Sequence, residues 1–219
     1  MKIHSLKLKT RNLSAIELFY GKQLGLLYSK SNDSVIQFKI GDSMLIFEQA
    51  DSMLNYCYHF AFNIPCNQLE NAIEWIGNYV NLLPVDNVGN QIANFTNWNA
   101  RSIYFFDPVG NIVEFIVRFN LKNEVSEVFS ANSLLSLSEI GIIVSDINVA
   151  IADFKERYEL KVFVPSTASD HFVAMGNDRG LFILSTLNRH WFPTKIPAVS
   201  YPTEVRFENE KGMVYEIMF

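Results

Sequence analysis

Residues 107–117 read DPVGNIVEFIV. Asp107-Pro108-Val109-Gly110 has turn chemistry: Pro108 presets φ, and Gly110 tolerates the positive φ with which such turns close. Ser102–Phe106 before it and Asn111–Val117 after it are rich in aromatic and β-branched residues, so the stretch predicts a strand, a tight turn and a second strand. The chain ends on an echo of this pattern, KGMVYEIMF over 211–219, with Gly212 and Glu216 spaced like Gly110 and Glu114.

The same unit extends upstream. His59–Ile64 is apolar and strand-like, and Asn67–Val80 carries an apolar helical stripe of Leu69, Ala72, Ile73 and Ile76. A polar stretch over roughly 84–99 separates that helix from the hairpin. Before it lies a similar unit. Ile3–Thr10 alternates with period two, placing Ile3, Ser5, Lys7 and Lys9 on one face and His4, Leu6, Leu8 and Thr10 on the other. Asn12 offers a helix N-cap, Leu13, Ile16, Phe19, Tyr20 and Leu24 recur at helical spacing, and Gly25 ends the helix. Strands are expected near 26–30, 34–40 and 43–49, with turns at Asn32-Asp33 and Gly41-Asp42. This unit reads β-α-β-β-β, and the order begins again at His59.

Residues 120–135 lose the alternation and read as a linker. Beyond them the opening pattern returns: SDINVAIADF (145–154), like RNLSAIELF (11–19), sets a small polar cap before a helix. Such self-similarity reads as duplication. Residues 185–200 leave no room for a further strand plus a full helix, so the second segment is expected to be truncated and completed by a terminal hairpin. The predicted organisation is a first domain over 1–119, a linker over 120–135 and a shortened second domain over 136–219.

Composition narrows the function classes. The 219 residues are 49% hydrophobic and 19% charged, enough apolar material for a substantial core. Eighteen Phe and nine Tyr favour sheets. The net charge of -5, with Lys and Arg scattered, argues against nucleic acid as a partner. The two cysteines, Cys57 and Cys66, lack CxxC spacing, which points away from a disulfide scaffold or thiolate zinc site. No apolar run reaches membrane-spanning length and no signal-peptide pattern opens the chain, so a cytoplasmic location is the expectation. Walker, GxGxxG and GxSxG motifs are absent from the sequence.

Three stretches carry a resemblance. Asn12-Leu13 followed by Phe19-Tyr20 and Leu24-Gly25-Leu26, then His59-Phe60-Ala61-Phe62, then Asp107-Pro108-Val109-Gly110-Asn111 through Glu114-Phe115, together resemble the vicinal-oxygen-chelate superfamily of glyoxalases, bleomycin-resistance proteins and extradiol dioxygenases. The DPVGNIVE segment, close to that superfamily's DPxGNxxE signature, is the most specific. The likeness covers 1–119 well and 136–219 loosely. It implies an α+β fold in which tandem βαβββ modules curl into half-barrels, with a divalent metal or a small ligand on the concave face. Fold alone does not choose between enzyme and binding protein.

The resemblance places metal ligands at His59 and Glu114, and a third at the start of the first strand. That third position falls on Ser5, with His4 out of phase by one residue and therefore on the opposite face unless a bulge intervenes. On the next strand Ile46, not Glu48, falls at the expected position. Three readings of His59 and Glu114 stay open: they share a metal (Fe, Mn, Ni or Zn), they form a metal-free His–carboxylate pair in a ligand pocket, or they satisfy each other structurally.

Lys7 and Lys9 share the Ser5 face and are candidates to bind a substrate anion, the resemblance placing a basic residue at Lys9 in some glyoxalases; two solvated lysines are the alternative. Trp98 and Arg101 at a strand entrance are candidates to clamp a planar anion. In the second segment the corresponding positions are Glu139 and Glu216, two carboxylates that could bind a hard cation, although a lost site is the simpler reading. His171 and His190 lie elsewhere. Cys57 beside His59 reads as a buried thiol more readily than as a nucleophile.

The functional expectation is a metal-dependent enzyme of the glyoxalase and dioxygenase type acting on a small oxygenated substrate, as a lyase, isomerase or dioxygenase. The alternative is a metal-free binding protein for an antibiotic-like or aromatic small molecule. Unpaired sheet edges on a truncated second half favour a homodimer.

Overall fold

Period-two and helical patterns sort the chain into thirteen strands and three α-helices in a computed structural model that describes residues 1–51, 54–164 and 168–219. The first unit is β1 (Lys2–Thr10), α1 (Leu13–Ile16), β2 (Tyr28–Asn32), β3 (Val35–Ile40) and β4 (Ser43–Gln49). The Asn12 side chain accepts from the Ala15 amide, as an N-cap should, and α1 runs on as a wider π-helical stretch over Glu17–Gln23. The second unit is β5 (His59–Ile64), α2 (Leu69–Ile76), β6 (Ala93–Phe95), β7 (Ala100–Phe106) and β8 (Ile112–Arg118). The polar stretch over 84–99 thus contains a short strand that its composition concealed.

The second segment supplies β9 (Ser136–Val144), α3 (Ile147–Tyr158) capped by Asp146, β10 (Phe172–Asn177) and β11 (Gly180–Thr186). This unit has one strand fewer than the others. The expected terminal hairpin follows as β12 (Thr203–Glu208) and β13 (Val214–Met218). Among the described residues no helix is long and apolar enough to cross a membrane.

The strands form two mixed sheets, one ordered β13-β12-β1-β4-β3-β2 and the other β10-β11-β9-β5-β8-β7-β6. In each complete unit the first strand runs parallel to the last, β1 beside β4 and β5 beside β8. Neither sheet belongs to one sequence segment. The terminal hairpin joins the first unit through β12 and β1, and β9 joins the second unit through β5, both antiparallel. Curled α+β sheets of this kind make the half-barrels that the resemblance implied.

Strand β1 departs from simple alternation. Its register shifts between Ile3 and Ser5, so Ile3 is buried with Leu6 and Leu8 and does not share the Ser5 face. The core is dominated by aromatic rings: Tyr20 packs on Phe38 and Phe47, Phe115 on Phe62 and Phe105, and Phe182 on Phe154 and Phe207. Ser43 links the sheets, donating to the Ile3 carbonyl and accepting from the Leu137 amide. Gly41 (φ +49°) passes so close to the Leu135 carbonyl that an added Cβ would lie 1.9 Å from its oxygen. A side chain there would push the sheets apart.

Asp107 organises the turn that opened the sequence argument. Its buried carboxylate accepts from the Val109 and Asn111 amides, from the Asn111 side chain and from the Tyr20 hydroxyl, all at 2.8–3.0 Å. Burial nevertheless pushes its carboxyl up to about 6.

Candidate metal centre

Register brings three ionisable side chains together. Ala61 of β5 stands opposite Glu114 of β8 on one side and opposite Glu139 of β9 on the other. His59 lies two residues before Ala61, on the same face of its strand. The small Ala61 side chain leaves space above it, and the ligand atoms of His59, Glu114 and Glu139 all lie within 4.8 Å of one another. All three residues are buried. The structure therefore pairs the two expected ligands with Glu139 from the second segment. Glu216 stands exposed on β13 in the other sheet, so the possibility that Glu139 and Glu216 share a cation is removed: cross-segment pairing assigns them to different sheets.

The neighbours of each group define its state. His59 Nδ1 lies 3.2 Å from the Ile112 carbonyl, an acceptor, so Nδ1 carries the proton and Nε2 faces the cluster with a lone pair. Burial, with a smaller contribution from the Arg189 charge, lowers the imidazole to about 4. The Ser102 and Tyr104 hydroxyls of β7, themselves 3.4 Å apart, favour the ionised form of Glu114, yet burial and the Glu139 charge push it up to about 8. The His59–Glu114 contact of 3.6 Å is thus a neutral pair at pH 7, not an ion pair. Glu139 is raised by burial and held by Arg118, whose Nη2 bonds its Oε1.

Arg118 lies on the Glu114 face of β8, four residues on, and is fully buried. Its Nε lies 3.3 Å from Ser138 Oγ, and its guanidinium carbon is 5.6 and 5.7 Å from the ring centres of Trp98 and Phe163. A guanidinium paired on one side and packed against aromatic rings can hold a carboxylate in one orientation.

The cluster forms the floor of a cavity of about 320 Å³. Its walls are Phe95, Trp98, Tyr104, Phe172, Ile183, Trp191 and Phe192, with Arg189 also lining it. The shortened third unit supplies much of this wall: residues 187–202, where a complete unit would carry its fourth strand, run as a loop that carries Arg189, Trp191 and Phe192 over the site. Trp191 lies against Gly141 of β9, where an added Cβ would approach the indole to 2.5 Å, and its ring centre is 5.4 Å from that of His59.

The other sequence candidates are dispersed. Trp98 lines the cavity. Arg101 lies on the α2 side of β7, pairs with Glu70 at 3.2 Å and lines a neighbouring open groove. Ser5, Lys7 and Lys9 belong to the six-stranded sheet. There Lys7 pairs with Glu48 and Glu204, and Lys9 with Glu48, at 2.9–3.0 Å. Ile46 stands opposite Lys7 where Glu114 stands opposite Ala61, so the first unit offers no matching carboxylate. His4 bonds Glu208 at 3.1 Å. His171 lies against Thr186 Oγ1, His190 is exposed, and Cys57, expected to be buried, is half-buried, its thiol pushed up to about 11 by desolvation.

Tyr104, Arg118, Arg189 and Trp191 were not picked out from sequence. Arg118 and Glu114 share strand parity, a signal that was present. Arg189 and Trp191 lie in a stretch without periodicity and carried none.

No protein-family model matches the chain, and no curated protein matches its sequence. Solved structures do match its fold. A "putative dioxygenase from Bacillus subtilis subsp. subtilis str. 168" superposes with a TM-score of 0.62 over 100% of this chain and 84% of that one, at 13% identity. The V278E mutant of glyoxalase I from Zea mays superposes with a TM-score of 0.54 over 99% and 92% of the two chains, at 11% identity.

Proposed function

Because the chain has the vicinal-oxygen-chelate fold, we propose that it is a divalent-metal-dependent enzyme acting on a small oxygenated substrate in the cavity above His59, Glu114 and Glu139. The observation that carries this reading is the convergence of one imidazole and two carboxylates, all buried, on a single point of an aromatic-walled cavity.

The donor set fits a metal of the Mn, Fe, Ni or Zn class, which take mixed imidazole and carboxylate ligands. Two carboxylates buried side by side repel each other, and a lone pair on His59 Nε2 faces Glu114; a cation relieves both. His59 Nε2 and one oxygen each of Glu114 and Glu139 would be the ligands. Bound there, such a metal supplies Lewis-acid polarisation of a carbonyl or enolate, or oxygen activation if it is iron. The chain's own residues do the rest. The Ile112 carbonyl fixes the His59 tautomer, Tyr104 stands opposite Glu114 on the neighbouring strand, and Arg118 orients Glu139. The aromatic walls limit water at the floor of the cavity.

One observation supports the second reading, a metal-free binding protein. Arg118 already supplies a positive charge to Glu139, and the raised Glu114 holds a proton where a cation would sit.

Titrating chelator-stripped protein with Mn²⁺, while following the fluorescence of Trp98 and Trp191, separates the two. Saturable binding at one site, weakened at least tenfold in Glu139→Gln, supports the metalloenzyme. Absence of any saturable change with Mn²⁺, Fe²⁺, Ni²⁺ or Zn²⁺ overturns it in favour of the metal-free reading.

A further inference from the structure

Arg189 lines the cavity and, unlike Arg118, which holds Glu139, has no carboxylate partner. Its guanidinium carbon sits over Phe172, 4.6 Å from the ring centre, and its other side-chain contact among the described residues is a long 3.5 Å one to the His190 carbonyl. No carboxylate pairs with it among the described residues. Yet it shares one cavity with His59, Glu114 and Glu139. A guanidinium held over a ring and without a carboxylate partner keeps N–H donors available, and a planar oxyanion can take two of them through parallel bonds.

The backbone holds this cation in place. The Arg189 carbonyl accepts from the Ala198 amide at 2.7 Å, the Asn188 amide donates to the Ala198 carbonyl at 2.9 Å, and the Trp191 amide donates to the Ile196 carbonyl at 2.9 Å. The loop is therefore hydrogen-bonded to itself on both sides of Arg189, and the charge does not depend on a mobile segment.

We propose that Arg189 is the specificity residue of this cavity and that it selects planar, singly charged aromatic carboxylic acids. The proposal rests on the reading of the cavity as a substrate site. Trp98, Phe172 and Trp191 offer flat walls to a ring, and about 320 Å³ holds one substituted ring more readily than a fused system. Charge sets the limit of one negative group. Among the described residues Arg189 is the one cation lining the cavity, and Glu114 and Glu139 on its floor disfavour a second anion or a phosphate dianion.

The test uses chelator-stripped protein titrated with benzoate and with its neutral isostere benzamide, read by tryptophan fluorescence and calorimetry, for wild type, Arg189→Lys and Arg189→Met. The proposal expects benzoate to bind at least tenfold tighter than benzamide, with the preference reduced in Arg189→Lys and gone in Arg189→Met at unchanged Tm. Equal affinities in wild type, no binding of either ligand at millimolar concentration, or a preference that survives Arg189→Met each overturn it. Repeating the titrations with Mn²⁺ keeps the two readings apart. An Arg189-dependent preference in protein that binds no metal defeats the metalloenzyme alone, and a bound metal without that preference defeats this proposal alone.

Discussion

His59 Nε2 faces a Glu114 oxygen at 3.6 Å while His59 Nδ1 lies 3.2 Å from the Ile112 carbonyl. Both sides of the ring are thereby assigned: one proton goes to the backbone, and the lone pair goes to the cluster. Without a metal, the second proton of the pair belongs on Glu114, whose burial beside Glu139 favours the neutral acid.

This arrangement has a pH signature. The Glu114 carboxyl rises from 4.5 to about 8 on folding. Between those values the unfolded chain has lost a proton that the folded chain keeps, so the contribution is present at low pH and is lost as pH rises towards 8. His59 falls from 6.5 to about 4, so its contribution is lost as pH drops through that window. Metal-free protein should therefore lose stability between pH 6.5 and 8. Denaturant midpoints in the presence of a chelator check this, and Glu114→Gln should flatten the decline. Identical pH profiles for wild type and Glu114→Gln contradict it.

Among the described residues Arg118 is the cation paired with Glu139, so its removal leaves an uncompensated carboxylate inside the sheet. Arg118→Met should destabilise metal-free protein by about 3–5 kcal/mol in urea denaturation. Saturating Mn²⁺ should recover part of that loss by giving Glu139 another cation. A loss below about 1 kcal/mol would show that the pair contributes little.

Gly141 is where the loop over the site meets the sheet. Gly141→Ala places a methyl 2.5 Å from the Trp191 ring, which must move off β9. The expected cost is about 1–3 kcal/mol, with altered tryptophan fluorescence and weaker binding of any aromatic ligand. Unchanged fluorescence and unchanged stability would mean that Trp191 does not hold this position.

Much of the architecture was legible in residues 107–117 and in the capped helices after Asn12 and Asp146, because turn chemistry and apolar periodicity are local. His59 and Glu114 were legible through the motifs around them. Glu139 was recognised as a position but not as their partner. Its proximity depends on β9 pairing with β5, a long-range choice that no local pattern encodes. The same cause separated Lys7 and Lys9 from the cavity, since β1 entered the other sheet and met Glu48 and Glu204 there. The bulge in β1 removed Ile3 from the Ser5 face, a departure that strict alternation could not anticipate. Arg189 and Trp191 were invisible for a simpler reason: they sit in an aperiodic loop whose role exists only once the missing strand leaves the site open.

The most direct test of the central claim is elemental mass spectrometry on protein purified without a histidine tag, for wild type, His59→Ala and Glu139→Gln. Near-stoichiometric Mn, Fe, Ni or Zn in wild type, lost in both variants, is the predicted result. The Glu139→Gln arm is the discriminating one, because it tests the ligand that only the cross-segment pairing supplies. Wild type without metal even after reconstitution, or metal retained in both variants, would contradict a centre built from His59, Glu114 and Glu139.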